Sequence, residues 1–204
     1  MMNKAAQFIS IVFHPLLLST YLVLLLGYLF PPMLLLPVSK LPLFAVVIFG
    51  LTFLLPALNL WIFKRFNIIS SLSLSDRKER VIPFIFIALI YILVAGMFIY
   101  RINLSINFSR ISIITASLVI ATCLLTFFYK VSVHSLSIWG AIGIILPLCK
   151  PAGQSLVHAV ILLIFLAGLV MSARLQLNAH TPREVLVGSL VGFMIGFAGM
   201  IVLF

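Results

Sequence analysis

A chain of 204 residues with 13 Lys and Arg, three acidic residues, 64% hydrophobic side chains and a mean hydropathy of +1.35 lacks the polar surface of a water-soluble domain. Its net charge of +10 is spread without a basic domain, an RNA-binding signature or a long basic run, which argues against nucleic acid and for anionic headgroups or phosphates. Ionisable residues near membrane spans are costly, so the places where the few charges sit carry the functional signal.

A hydrocarbon core of about 30 Å takes roughly 20 apolar residues per helical span. Residues 8–30 form the first such run; it includes His14-Pro15 and has no obvious small-residue cleavage site, so it reads as a retained span and not as a signal peptide. After a polar stretch at 31–40 comes residues 43–63, with Asn59 near Pro56. The connection at 64–80 holds Asp76-Arg77-Lys78-Glu79-Arg80, two of the three acids in the chain. Runs at 81–100 and 111–129 follow, separated by a connection at 101–110. They do not alternate in polarity as the strands of a membrane barrel would.

Next comes Lys130-Val131-Ser132-Val133-His134, then residues 135–149, a shorter segment interrupted by Gly140, Gly143 and Pro147 that reads as a short or broken helix. Residues 156–173 and 185–204 complete the set, flanking a polar stretch at 174–183. The last run carries Gly188, Gly192 and Gly196, a ladder that lets helix backbones approach closely in lipid. Packing within the bundle is its first reading, and a homodimer through the last helix its second. Cys123 and Cys149 read as core packing, and His14, His158 and Asn59 as packing or interhelical hydrogen bonding. The expected fold is all-α: a polytopic transmembrane bundle of six to seven spans, with residues 1–204 as a single integral membrane domain.

With seven spans, the second, fourth and sixth connections share one membrane face with the N-terminus. Those connections hold the phrases at 76–80, 130–134 and 174–184, which could therefore converge. Together they supply two histidines, fixed positive charges, a serine and Glu184. Arg offers a planar fork to phosphate oxygens and Lys a point charge. One histidine can act as nucleophile and another as proton donor. A carboxylate four residues after a histidine shares its helix face and can fix the imidazole tautomer. Such a set suits phosphoryl transfer without a metal, because the cations neutralise the spreading charge. Thr181-Pro182-Arg183-Glu184 also has the form of a helix start with a capping box.

Arg174-Leu-Gln-Leu-Asn-Ala-His180-Thr-Pro-Arg-Glu184 resembles the third motif of the type-2 phosphatidic acid phosphatase superfamily, Ser-Arg-x5-His-x3-Asp, and Val185-Leu-Val-Gly188 is similar to its usual continuation. Val131-Ser132-Val133-His134 is similar to the second motif, Pro-Ser-Gly-His, and Lys78-Glu79-Arg80-Val-Ile-Pro83 more loosely to the first, Lys-x6-Arg-Pro. The motif-bearing region covers about residues 76–190. The resemblance implies a membrane phosphatase of lipid phosphates or polyprenyl diphosphates. His180 would attack phosphorus and form a phosphohistidine, with Glu184 in the place of the orienting aspartate. His134 would protonate the leaving oxygen, while Arg174, Ser132 and some of Arg77, Lys78 and Arg80 would hold the phosphate. No metal or other cofactor is implied. The partners are the lipid phosphate substrate and membrane lipids, and the expected location is the bacterial inner (cell) membrane.

The chain departs from the pattern at Ala173, Glu184, Val131 and Val133, and in the spacing of the first motif. These departures keep open a catalytically inactive phospholipid-binding or structural protein of the same fold. A transporter is the third reading, from the broken fifth segment and from Pro15, Pro56 and Pro147 in apolar runs. Metal-dependent prenyl and CDP-alcohol transferases fit poorly, because they need clustered aspartates and Asp76 is the single one here. Sidedness is balanced. Lys4, Lys64, Arg65, Arg77, Lys78, Arg80, Lys130, Arg174 and Arg183 lie on the motif face, against Lys40, Arg101, Arg110 and Lys150 opposite. Setting aside the phosphate ligands Arg77, Lys78, Arg80 and Arg174 leaves five against four, which decides nothing under the positive-inside rule.

Overall fold

The computed structural model describes residues 2–72, 74, 76–100, 105–152 and 154–204; Arg101 of the opposite-face charges lies outside them. Among the described residues seven helices are long and apolar enough to cross a membrane: span 1 (Lys4–Leu29), span 2 (Val38–Arg65), span 3 (Arg77–Tyr100), span 4 (Ile106–Phe128), span 5 (Val133–Ala152), span 6 (Leu156–Gln176) and span 7 (Pro182–Leu203). Among the described residues there is no strand, and the protein is an all-α polytopic bundle.

The interrupted segment is a full-length span and the most buried of the seven. Its glycines explain both its weak sequence signal and its position. A Cβ on Gly140 would lie 2.7 Å from a methyl of Leu118 in span 4, and one on Gly143 would lie 2.6 Å from the Phe193 carbonyl in span 7. Span 7 answers with its own ladder: Cβ atoms at Gly188, Gly192 and Gly196 would lie 2.7, 2.0 and 2.3 Å from the carbonyls of Ser132, Leu136 and Gly140. Spans 5 and 7 are thus in backbone contact along their length, the arrangement that small residues permit in lipid.

Spans 1 and 2 are irregular where proline forces them to be. Span 1 breaks between Val12 and Pro15 and resumes through a 3-10 turn at Pro15–Leu17. Span 2 contains a π-helical turn at Gly50–Leu54, just before Pro56. Span 3 begins earlier than its apolar run, at Arg77, because Asp76 Oδ1 accepts the Lys78 amide at 3.0 Å and caps the exposed first turn. The cations Arg77, Lys78 and Arg80 are therefore helical, not part of a loop. At the other membrane face the Arg110 guanidinium sits 5.2 Å from the centre of the Phe204 ring, joining the start of span 4 to the end of span 7 as seven-span parity requires.

Candidate active site

Span 7 opens with a complete capping box. Thr181 Oγ1 accepts the Glu184 amide at 3.3 Å, and Glu184 Oε2 accepts the Thr181 amide at 3.3 Å. The same Oε2 takes His180 Nδ1 at 2.8 Å. Glu184 is acceptor-only when ionised, so Nδ1 carries the proton and Nε2 of the neutral ring keeps its lone pair. The His180 side chain is only 2% exposed. Burial holds its pKa below the ordinary value, at about 4; the Glu184 hydrogen bond opposes this, and the charges of Arg80 and Arg174 add to it. At neutral pH the imidazole is uncharged, oriented and nucleophilic at Nε2.

His134 lies in the first turn of span 5, which the Ser132 hydroxyl caps. Its Nε2 donates to the Ser10 carbonyl of span 1 at 3.1 Å, and its ring stacks edge-on with His14, centroids 5.7 Å apart. Span 1 can offer that carbonyl because of Pro15. Pro15 has no N–H for the Ile11 carbonyl, so Ile11 takes the His14 amide instead, at 3.2 Å. The Ser10 carbonyl, which would receive His14 in an unbroken helix, is left for His134.

Two arginines complete the polar end. Arg80, 6% exposed, donates from Nε to the Leu74 carbonyl at 2.6 Å and from Nη1 to the Val131 carbonyl at 3.4 Å. Arg174 reaches Ser10 Oγ from Nη1 at 3.3 Å, and its buried Nε–H has no hydrogen-bond partner. Among the described residues the one ion pair is His180–Glu184, so neither guanidinium has a carboxylate within ion-pair distance. A buried cation without a counter-ion is expensive, and a bound anion would remove that cost.

Arg80, Arg174, His134, His180 and His14 line the polar end of a single cavity of about 170 Å³, whose walls continue downward through Leu22, Ile87, Leu118 and Ile144. The three polar phrases also bond to one another. Arg80 reaches Val131, the Ser132 amide donates to the Glu184 carbonyl at 3.2 Å, and Arg77 Nη1 donates to the carbonyls of Thr126 and Phe127 at the end of span 4.

Other candidates from the sequence sit elsewhere. Arg77 is committed to the C-terminal carbonyls of span 4, Lys78 is exposed, and neither lines the cavity. Ser132 is fully buried; its hydroxyl accepts the Ser135 amide and pairs with the Ser135 hydroxyl at 3.0 Å, away from the cavity wall. Conversely, His14 and Ser10 belong to this end of the bundle and had read as packing residues or gone unremarked. The signal that could have found them is Pro15, whose position fixes which carbonyls of the preceding turn lose their donors. Among the described residues no three His, Cys, Asp or Glu side chains cluster as a metal would require.

Comparison with known proteins gives one match. Residues 127–204, which contain His134, Arg174, His180 and Glu184, match the family model described as PAP2 superfamily. No curated protein and no solved structure matches the chain. The match covers less than half of the chain, and it is in this C-terminal region that the chain is similar to the PAP2 superfamily.

Proposed function

We propose that this protein hydrolyses the phosphate ester or diphosphate of a lipid through a phosphohistidine on His180. The observation that carries the reading is the pair of guanidiniums, buried Arg80 and part-buried Arg174, which have no carboxylate within ion-pair distance and line one cavity with a neutral, Glu184-oriented His180. A phosphate there would accept the unused Nε–H of Arg174 and neutralise both cations. His180 Nε2 attacks phosphorus, the bond from phosphorus to the leaving oxygen breaks, and that oxygen takes a proton from His134. Since Nε2–H of His134 is held by the Ser10 carbonyl, the transferred proton passes through Nδ1, which takes it from the monoprotonated phosphate of the bound substrate and hands it to the leaving oxygen. Water, giving a proton back to His134, then attacks the phosphohistidine and releases phosphate. Seven apolar helices in place of a barrel fit a bacterial inner (cell) membrane.

A second reading, an anion-binding membrane protein without turnover, is favoured by the positions of Arg77, Lys78 and Ser132 away from the cavity. Phosphate release from purified protein in detergent, with excess chelator and a panel of lipid phosphates, separates the two. Wild type should turn over and His180→Ala should not. Glu184→Gln retains an oxygen for the cap but removes the charge, so it should lose rate, about 10²-fold or more, with little change in thermal stability. Equal release by wild type and His180→Ala would rule out the nucleophile, and no release by any protein across the panel would favour the inert reading.

A further inference from the structure

The polar site is one end of a cavity whose opposite end is closed by a hydrogen-bonded tyrosine inside the membrane. Tyr91 of span 3 is 5% exposed; its hydroxyl donates to the Thr52 carbonyl at 3.4 Å and lies 3.3 Å from Ser19 Oγ. Three spans thus meet at one phenol. Thr52 lies in the π-helical turn of span 2, just before Pro56. Beyond this junction a second, smaller cavity continues toward Phe98 and Phe108, and the two share Ser19, Leu22, Tyr91 and Thr115 as walls. Along span 3, the 11 residues from Arg80 to Tyr91 correspond to about 16 Å, close to one leaflet of a hydrocarbon core about 30 Å thick.

The cavity is slender for that depth. Spread over about 16 Å of depth, a volume of about 170 Å³ makes a path no wider than one hydrocarbon chain. One chain segment fits; two acyl chains side by side do not. We infer that this cavity holds the single hydrocarbon chain of a phosphorylated amphiphile, its phosphate at Arg80 and Arg174, and that Tyr91, fixed by Thr52 and Ser19, is the stop that sets chain length. The inference rests on the phosphatase reading of the polar end and adds a substrate class to it: single-chain lipid phosphates over diacyl ones. Ala141 of span 5, 4% exposed and in the cavity wall, marks a point where a larger side chain would fill the chain's path.

The test compares kcat/KM for octyl, dodecyl and hexadecyl phosphate and for a diacyl phosphatidic acid, using the full chain in detergent. Wild type should prefer the single-chain esters to the diacyl one and decline toward hexadecyl. Tyr91→Ala should open the second cavity and raise the hexadecyl-to-octyl ratio about tenfold or more; Ala141→Phe should lower it by a similar factor. Diacyl phosphate used as well as dodecyl phosphate, with ratios unmoved by Tyr91→Ala, would overturn the inference.

A second measurement needs neither catalysis nor variants. A dodecyl phosphate carrying a photoreactive diazirine at its chain end, bound to wild type and irradiated, should label the junction around Leu22, Tyr91 and Thr115. Inorganic phosphate should compete with that labelling. Labelling confined to outward-facing Leu89 and Leu93, or labelling that phosphate does not reduce, would overturn it. Junction labelling together with absent turnover would instead defeat the phosphatase reading and leave the chain site standing.

Discussion

His134 Nε2 is bonded at 3.1 Å to the backbone carbonyl of Ser10, an acceptor that exists because Pro15 withholds its N–H from the next carbonyl along. Span 2 offers a comparable contact, where the carbonyl of Thr52, in the π-helical turn before Pro56, accepts the Tyr91 phenol. In both cases an irregular turn in one span carries the acceptor that positions a side chain on another. In lipid a freed backbone group must find a partner inside the protein, so the break at Pro15 also ties spans together.

Replacing Pro15 with Ala restores a donor for Ile11 and lets His14 return to the Ser10 carbonyl. His134 then loses the acceptor that fixes its ring. The expected result is a fall in kcat of about 10²-fold, within the range that general acid catalysis supplies, with thermal stability equal to or above wild type because the helix is now continuous. Phosphate-release kinetics and thermal unfolding of Pro15→Ala check this. Unchanged kcat would mean that the Ser10 contact does not position the acid.

The His180 ring gives a pH signature. Its folded pKa of about 4 lies below the ordinary 6.5, so between those values the unfolded chain binds the proton more readily than the native one. Its contribution to stability is therefore fully present above about pH 6.5, declines as pH falls through that window and is lost below about 4. Thermal midpoints of wild type and His180→Gln, measured from pH 8 down to about 4, should show the wild type losing relative stability as pH falls. A difference between the two that stays constant with pH would contradict a buried, neutral His180.

The sequence made the seven apolar runs, the meeting of three polar phrases at one face, and the His180–Glu184 pair legible, because these depend on span length, parity and an i to i+4 spacing. Span 5 was ambiguous for a physical reason: a helix surrounded by others trades apolar bulk for glycines such as Gly140 and Gly143, which weaken its composition signal while improving its packing. Arg77 and Ser132, read from sequence as phosphate ligands, are engaged at helix ends, which compete for the same groups. One satisfies the last carbonyls of span 4 and the other caps span 5. His14 read as a packing or interhelical hydrogen-bonding residue because its place in the cavity arises from spans 1 and 5 meeting, which no local pattern encodes.

The packing of span 7 on span 5 makes a sharp prediction about glycine. A Cβ at Gly192 would sit 2.0 Å from the Leu136 carbonyl oxygen, a backbone atom that cannot move aside without shifting a helix. Gly192→Ala should therefore destabilise the protein by about 1–3 kcal/mol, the usual cost of overpacking. Gly168→Ala, in span 6 with open space around its Cβ, should be neutral or slightly stabilising through helix propensity. Thermal shift in detergent on the two variants checks the pair, and equal midpoints would mean that spans 5 and 7 are not in backbone contact.

Membrane orientation, balanced by sequence alone, tips once the arginines and lysines are sorted by what they touch. Only Arg80 and Arg174 of the proposed phosphate ligands line the cavity; Arg77 caps span 4 and Lys78 is exposed. Setting aside just those two leaves Lys4, Lys64, Arg65, Arg77, Lys78, Lys130 and Arg183 on the site face, seven against the four opposite (Lys40, Arg101, Arg110 and Lys150). Under the positive-inside rule that asymmetry predicts a cytoplasmic site face. Single cysteines at exposed Lys64 and Lys40, in a background with Cys123 and Cys149 replaced by Ala, test it with a membrane-impermeant maleimide. The cysteine at position 40 should react in intact cells, and the one at 64 only after lysis. The reverse pattern would put the site outside, where its substrates would have to be presented by the outer leaflet.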